Sequence, residues 1–305
     1  MKPLSSFIQI ITIIFMCFAV ESSASSKKSR PEWIYLKNRY IKIGVDKSRG
    51  ACIGYLSKAR SRKNVLNHFD EGRFIQQSYY GQKDGSNWNG NPWVYNPVQG
   101  GSWNRTPSKL LELKVDKRKL TLYAKIMPRR WSSGELCPEA IMEQWISLKD
   151  KIVKIRFKMT YTGPDQGKPR HQEMPAVFVD GAMKTFVYLK DGKEHRPKVG
   201  ILAENGKPEI KGLRYGKAEQ QWTAYLNKKG WGIGIYTPGT TDFTCYRALG
   251  DGKTGPDGSS CSYVAPLKTF ALTKGLTVEY DVYLTLGKLS EITKNFYSKN
   301  THNDK

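Results

Sequence analysis

From Tyr40 to Val45 the chain reads Tyr-Ile-Lys-Ile-Gly-Val, with apolar and polar positions taking turns. That period of two puts successive side chains on opposite faces of a strand. The segment Trp33–Val45 therefore predicts a strand, and Ala51–Leu56 predicts a second one after the turn Lys47-Ser48-Arg49-Gly50. Two hairpins follow. Leu110–Val115 and Leu120–Met127 are joined by Asp116-Lys117-Arg118-Lys119, and Ile141–Leu148 and Ile152–Tyr161 turn at Lys149-Asp150-Lys151. In the last strand Val153, Ile155, Phe157 and Met159 make the buried face. The pattern continues at Pro175–Val179, Thr185–Leu189, Gln221–Leu226, Gly232–Tyr236, Ser262–Pro266, Thr269–Leu272 and Leu276–Leu286. Only Ser290–Lys299 reads as a helix, with Ser290 as its cap and Glu291 in its first turn. Short strands with polar turns and no βαβ unit predict an all-β fold. We expect a single large antiparallel β-sandwich over residues 33–299 with one short C-terminal helix, preceded by a basic linker at 25–32 and followed by a flexible tail at 300–305.

The alternation breaks down between Asn64 and Trp103. Tyr79, Tyr80, Trp88, Trp93, Tyr95 and Trp103 lie there, interspersed with Asn87, Asn89, Asn91, Asn96, Gln99 and several glycines. A packed core would not carry so many amides, and a disordered linker would not carry so many rings. Flat rings beside amide donors and acceptors suit a sugar, whose C–H faces lie on rings and whose hydroxyls pair with amides. A loop packed on its own aromatics is the structural alternative.

The N-terminus changes the setting. Lys2, an apolar run from Phe7 to Val20 and the small residues Ser22-Ser23-Ala24 form a secretion signal, with cleavage expected after Ala24. The run is too short to span a bilayer comfortably, so no stable membrane insertion is expected once it is removed. The protein is expected to be secreted or periplasmic. Its net charge of +23 is spread along the chain. Outside the cell such charge draws acidic polysaccharides and other polyanions, or serves solubility alone. No zinc-finger spacing or groove-entering basic helix is present, so nucleic acid is not an expected partner. Beyond Cys17 in the signal, Cys52, Cys137, Cys245 and Cys261 remain. Cys245 and Cys261 flank a glycine-rich loop and are the favoured disulfide, worth about 3 kcal/mol in the chain-entropy account; Cys52–Cys137 would follow.

Candidate chemistry concentrates in two places. In Arg170-His171-Gln172-Glu173, an extended backbone puts His171 and Glu173 on one face, where imidazole and carboxylate can serve as acid and base. Alternatively, Arg170 and Glu173 form a surface ion pair. In Asn67-His68-Phe69-Asp70-Glu71-Gly72-Arg73-Phe74-Ile75-Gln76, Arg73 can hold a carboxylate through two bonds, from substrate or from a neighbouring acid such as Asp70. Tyr79 or Tyr80 could move protons, Gln76 and Gln99 offer amides, and Trp88, Trp93 and Trp103 offer rings. The run Gly230-Trp231-Gly232-Ile233-Gly234 reads as a hairpin whose glycines admit another backbone. The chain has no phosphate loop, nucleophile elbow, dinucleotide fingerprint or metal-ligand spacing, so no cofactor and no metal are expected.

The early strand pair with Gly54-Tyr55-Leu56, then Asn64-Val65-Leu66-Asn67, Asp70–Gln76, Tyr79-Tyr80 and Asn96-Pro97-Val98-Gln99-Gly100-Gly101 resembles the galactose-mutarotase-like β-supersandwich proteins. The resemblance covers the order of elements over most of residues 25–305. It implies a concave sheet that binds sugar, in a superfamily that holds epimerases and domains of glycoside hydrolases and polysaccharide lyases. Epimerases of this fold resemble one another in a histidine acid and a glutamate base. His171 is the match for the histidine, and no glutamate matches in place, Glu219 and Glu279 being the later options.

The expected function is cleavage of an extracellular polysaccharide, an acidic one being favoured by the charge. Lyase chemistry would use Arg73 or Gln99 against the uronate and His171, Tyr79 or Tyr80 for protons. Glycosidase chemistry would use Glu173 and Asp70, which must then stand about 5–9.5 Å apart. A non-catalytic glycan-binding protein and an aldose epimerase-like enzyme are the alternatives.

Overall fold

The computed structural model describes residues 30–202 and 208–300. The expected signal segment 1–24, most of the expected linker and the expected tail beyond residue 300 lie outside the described residues. In chain order the strands begin with β1 (Trp33–Lys37), β2 (Ile41–Asp46), β3 (Cys52–Lys58), β4 (Ile75–Ser78), β5 (Lys83–Trp88), β6 (Asn91–Val94), β7 (Pro97–Val98) and β8 (Lys109–Asp116). They continue with β9 (Thr121–Met127), β10 (Arg129–Arg130), β11 (Ala140–Lys149), β12 (Ile152–Tyr161), β13 (Arg170–Asp180), β14 (Thr185–Lys190), β15 (Lys193–His195) and β16 (Ile201–Leu202). The last are β17 (Pro208–Ile210), β18 (Tyr215–Lys217), β19 (Trp222–Leu226), β20 (Trp231–Tyr236), β21 (Asp242–Ala248), β22 (Cys261–Phe270) and β23 (Thr277–Lys288), before the helix α1 (Leu289–Asn300).

Two large sheets face each other. The first runs β1-β2-β3-β4-β13-β22-β21-β16-β17, and the second β15-β14-β19-β20-β23-β12-β11-β9-β8. Pairing is antiparallel apart from β16 on β21. The alternation seen in sequence is what builds the space between them: Val153, Ile155, Phe157, Met159 and Tyr161 of β12 are all fully buried. They meet Val45, Ile53, Ile75, Val177 and Val264 of the first sheet in one core. The all-β sandwich with one short terminal helix is thus the observed architecture.

The outer faces differ. On the second sheet, Ile292 and Phe296 of α1 pack on Trp222, Ala224 and Tyr283. Gly234 makes that approach possible, because a Cβ there would lie 2.4 Å from Ile292. On the first sheet, Ala176, Phe178, Tyr263, Ala265 and Leu267 form an apolar patch, and Ala176 and Phe178 of it line the floor of a cleft.

The expected disulfides do not form. Cys52, Cys137, Cys245 and Cys261 are all free and buried. In the β21–β22 ladder Cys245 opposes Val264 while Cys261 opposes Ala248. Three residues of offset put the two thiols on opposite faces of the sheet. Cys245 accordingly packs in the inter-sheet core and Cys261 in the outer patch. Cys52 donates to Gln76 Oε1 at 3.3 Å instead of meeting Cys137.

Candidate active-site cleft

The cleft has a volume of about 560 Å³. Its floor comes from the centre of the first sheet, where β13 is flanked by β4 and β22. β13 departs from regular register between Glu173 and Val177, and Ser78, the last residue of β4, opposes Glu173. That local irregularity sets Glu173 at the point where the ladder opens toward solvent.

Glu173 is half-buried and its Oε1 receives two phenolic hydroxyls. Tyr80 donates across 2.9 Å, and Tyr263 of β22 donates to the same oxygen. Burial pushes the Glu173 carboxyl up from the ordinary value, and the hydroxyls of Tyr263, Tyr80 and Ser78 offset part of that rise. Burial, followed by the charge of Glu173, drives the Tyr80 and Tyr263 hydroxyls well above the ordinary tyrosine value. The tyrosines are therefore proton donors and the carboxylate is the acceptor. Tyr246 stacks on Tyr263 with centroids 4.4 Å apart and carries the floor toward the opposite rim.

A tryptophan wall stands beside this floor. β5 and β6 form a two-stranded hairpin closed by Asn89-Gly90, both with positive φ, the conformation a tight hairpin turn requires. Trp88 and Trp93 meet edge-to-face at 5.0 Å, and Trp131 backs Trp88 at 6.3 Å. Trp131 packs against Gly72, where a Cβ would come within 2.5 Å of the ring. Asn96 ties wall to floor: its Oδ1 accepts from Trp93 Nε1 at 3.3 Å and its Nδ2 donates to the Tyr79 carbonyl at 2.6 Å. The far rim is polar. Arg73 pairs with Asp70 at 3.1 Å and donates to the Ser259 carbonyl at 2.5 Å.

Glu173, Tyr80, Asp70, Arg73, Gln76, Trp88 and Trp93 thus line one cleft. Other candidates from the sequence lie elsewhere. His171 shares a strand face with Glu173 but does not line the cleft; it is exposed, with Nδ1 2.9 Å from Thr269 Oγ1. β4 ends opposite Glu173, so nothing of that strand extends alongside His171. Tyr79 is fully buried and donates to Gln77 Oε1 at 3.0 Å. Gln99 is also fully buried, donating to Gly50 O at 3.2 Å and Gln144 Oε1 at 3.0 Å. Both face the core. Trp103 is 42% exposed, does not line the cleft, and donates to Ser132 O. The Gln76 amide is engaged by Gly72 O at 2.7 Å and by the Gly100 amide at 2.9 Å, so it shapes the wall from behind.

Trp131, Tyr246 and Tyr263 were missed in sequence. Trp131 sits in an irregular segment with no period to read. Tyr263 falls in a strand buried on both faces, where no period marks an open side, and Tyr246 in a strand the sequence pattern did not predict.

No protein-family model matches the chain, and no curated protein sequence matches it. A galactose mutarotase-like protein from Lactobacillus casei ATCC 334 is similar in structure over 84% of this chain and 100% of its own, with a TM-score of 0.53 and 11% identity. A galactose mutarotase related enzyme from Lactobacillus acidophilus covers 84% of this chain and 97% of its own at 10% identity and a TM-score of 0.47. A polysaccharide lyase covers 82% of this chain with 32% of its own length, at 10% identity and a TM-score of 0.42. The first of these shows the fold: the chain has the galactose-mutarotase-like β-supersandwich architecture.

Proposed function

We propose that the protein is a secreted carbohydrate-active enzyme that cleaves an extracellular polysaccharide in this cleft, by proton transfer through Glu173. The observation that carries the reading is the half-buried Glu173 carboxylate, held by two tyrosine hydroxyls and facing a tryptophan wall. Sugar faces stack on Trp88 and Trp93, and hydroxyls reach the polar rim. Among the cleavage chemistries, elimination from a uronate fits best. Asp70 is engaged by Arg73 and Asp251 by Ser259 and Lys253, whereas the Glu173 carboxylate is held by two tyrosine hydroxyls. Glu173 takes the proton α to the uronate carboxylate, a carbon–carbon double bond forms, and the glycosidic C–O bond breaks. The leaving oxygen takes the Tyr80 proton, and Glu173 returns its own to Tyr80. Arg73 supplies the cation that faces the uronate. The chain's charge of +23 supports an acidic polymer.

The tryptophan hairpin by itself would serve a non-catalytic glycan-binding protein equally well, and one experiment separates the two. The chain without its signal segment, Glu173→Gln and His171→Ala are incubated with neutral and uronate polysaccharides. Wild type and His171→Ala should produce the ultraviolet absorbance of an unsaturated uronate. Glu173→Gln should lose about 10²–10⁴-fold in rate, the usual contribution of a positioned acid–base group. Reducing ends without that absorbance would replace elimination by hydrolysis. Polymer retention without any product would leave only binding.

A further inference from the structure

The second sheet's outer face is covered over only part of its width. α1 packs on the β19, β20 and β23 side. Across β8, β9, β11 and β12, among the described residues, nothing is packed on the face, and a groove of about 810 Å³ runs there. The strand register builds this groove as parallel rows. Lys114 opposes Tyr123, Tyr123 opposes Trp145, Trp145 opposes Arg156, and Arg156 opposes Asp281. Five strands at about 4.8 Å spacing make this row roughly 19 Å long. At its middle, Trp145 is 37% exposed and its ring meets Tyr123 at 5.1 Å with a 40° tilt. The Tyr123 hydroxyl donates to Glu143 Oε1 at 2.7 Å, which fixes that ring. Cations flank the pair. Lys114 Nζ lies 5.7 Å from the Tyr123 centroid, and the Arg156 guanidinium is steadied by Asp281 at 3.0 Å and Glu279 at 3.3 Å.

We propose that this groove is a second polysaccharide-binding surface, taking an extended glycan strand on the side of the sandwich opposite the cleft. The inference rests on the reading that the protein's partner is a polysaccharide. Lys114, Lys154, Arg156 and Lys158 line the groove, and each lies beside a carboxylate, Glu112, Asp281, Glu279 and Glu143 respectively, so cations and acids alternate along its borders. The adjacent row, Glu112, Lys125, Glu143, Lys158 and Glu279, is charged at every position. A protein partner would need an apolar centre depleted of charge. Two fixed rings bordered by donors and acceptors match a sugar chain, whose C–H faces cover the rings while hydroxyls and carboxylates meet the borders. Such a surface would hold the enzyme on its polymer while the cleft works elsewhere along it.

The test is affinity electrophoresis through gels containing polygalacturonate and through gels containing dextran. Glu173→Gln serves as the parent, so that the polymer is not consumed. Adding Trp145→Ala should weaken binding to the polymer that retains the parent about tenfold, equivalent to losing about 1.4 kcal/mol. In the otherwise wild-type chain, Trp145→Ala should leave turnover of short soluble oligosaccharides unchanged. Circular dichroism checks that each variant is folded. Equal retention of Trp145→Ala and parent, or no retention of the parent in either gel, would overturn the proposal. Retention that depends on Trp145 in a protein that cleaves no polymer would instead sink the catalytic reading and leave this surface standing.

Discussion

Tyr80, two residues past the end of β4, donates its hydroxyl across 2.9 Å to Oε1 of Glu173 on the neighbouring strand β13. A hydrogen bond to the charged form of an acid lowers its pKa, so this contact works against the burial that raises Glu173. Removing it has a defined sign. Tyr80→Phe should move the Glu173 ionisation further up, read by ¹³C NMR titration of side-chain-labelled glutamate. If Glu173 is the base, the acid limb of kcat/KM should move up with it, and the rate should fall by about 10²-fold or more through loss of the proton donor. An unmoved carboxyl titration in a folded variant would mean that the hydroxyl does not act on Glu173.

Arg73 joins two pieces of chain far apart in sequence, through Asp70 at 3.1 Å and the Ser259 carbonyl. Both partners of the ion pair are largely shielded, Arg73 at 22% and Asp70 at 18% side-chain exposure. Lysine keeps the charge but not the planar fork that reaches both oxygens. Arg73→Lys should cost on the order of 1 kcal/mol in urea unfolding. It should also speed amide exchange in residues 249–260 while the exchange of β12 stays unchanged. Unaltered exchange in that loop would show that Arg73 does not hold the rim.

Glu71 is fully buried behind the cleft, and desolvation raises its carboxyl above the ordinary value of 4.5, with Arg49 pulling it back. A raised folded-state pKa means that the native state holds the proton more tightly than the unfolded state. Stability therefore falls as pH rises from 4.5 through the folded-state value, and above it the native state carries the cost of a buried charge. Glu71→Gln stays neutral throughout. It should be more stable than wild type by on the order of 1 kcal/mol at neutral pH, with the difference closing below pH 4.5. The same difference at both ends of the range would assign the effect to packing rather than to ionisation.

The sandwich was legible because its inner faces are sorted by a period of two, most clearly in β9, β11 and β12, where buried and accessible positions alternate without a break. Where burial lies on both faces, as in β19 and β22, the period disappears, and β22 read as two strands rather than one. Short strands such as β10 and β16, two residues each, carry no period at all. The cleft was legible in composition and not in detail. The aromatic stretch divides between two duties: Trp88 and Trp93 face the cleft, whereas Tyr79 and Tyr95 enter the core. Adjacent Tyr79 and Tyr80 point opposite ways, as strand geometry demands, but the sequence holds nothing that says which of them is outside. His171 and Glu173 are placed on one face by the same geometry. What separates them is the end of β4, a property of a strand about a hundred residues away.

The four cysteines offer the plainest check of the fold. All are free and buried, and burial pushes Cys245 and Cys137 up to about 12 and raises Cys52 and Cys261 as well. Since the thiolate is the reactive form, a buried thiol with a raised pKa should be inert in the native state. The chain lacking residues 1–24 should give essentially no reaction with a thiol-specific chromogenic reagent when folded. After denaturation it should release four equivalents, one for each of Cys52, Cys137, Cys245 and Cys261. Its melting temperature should be the same with and without reductant. Two equivalents after denaturation, together with a reductant-dependent loss of several degrees, would mean that one pair is bridged. For Cys245 and Cys261 that bridge would require β21 and β22 to abandon their register, because the ladder holds these side chains on opposite faces.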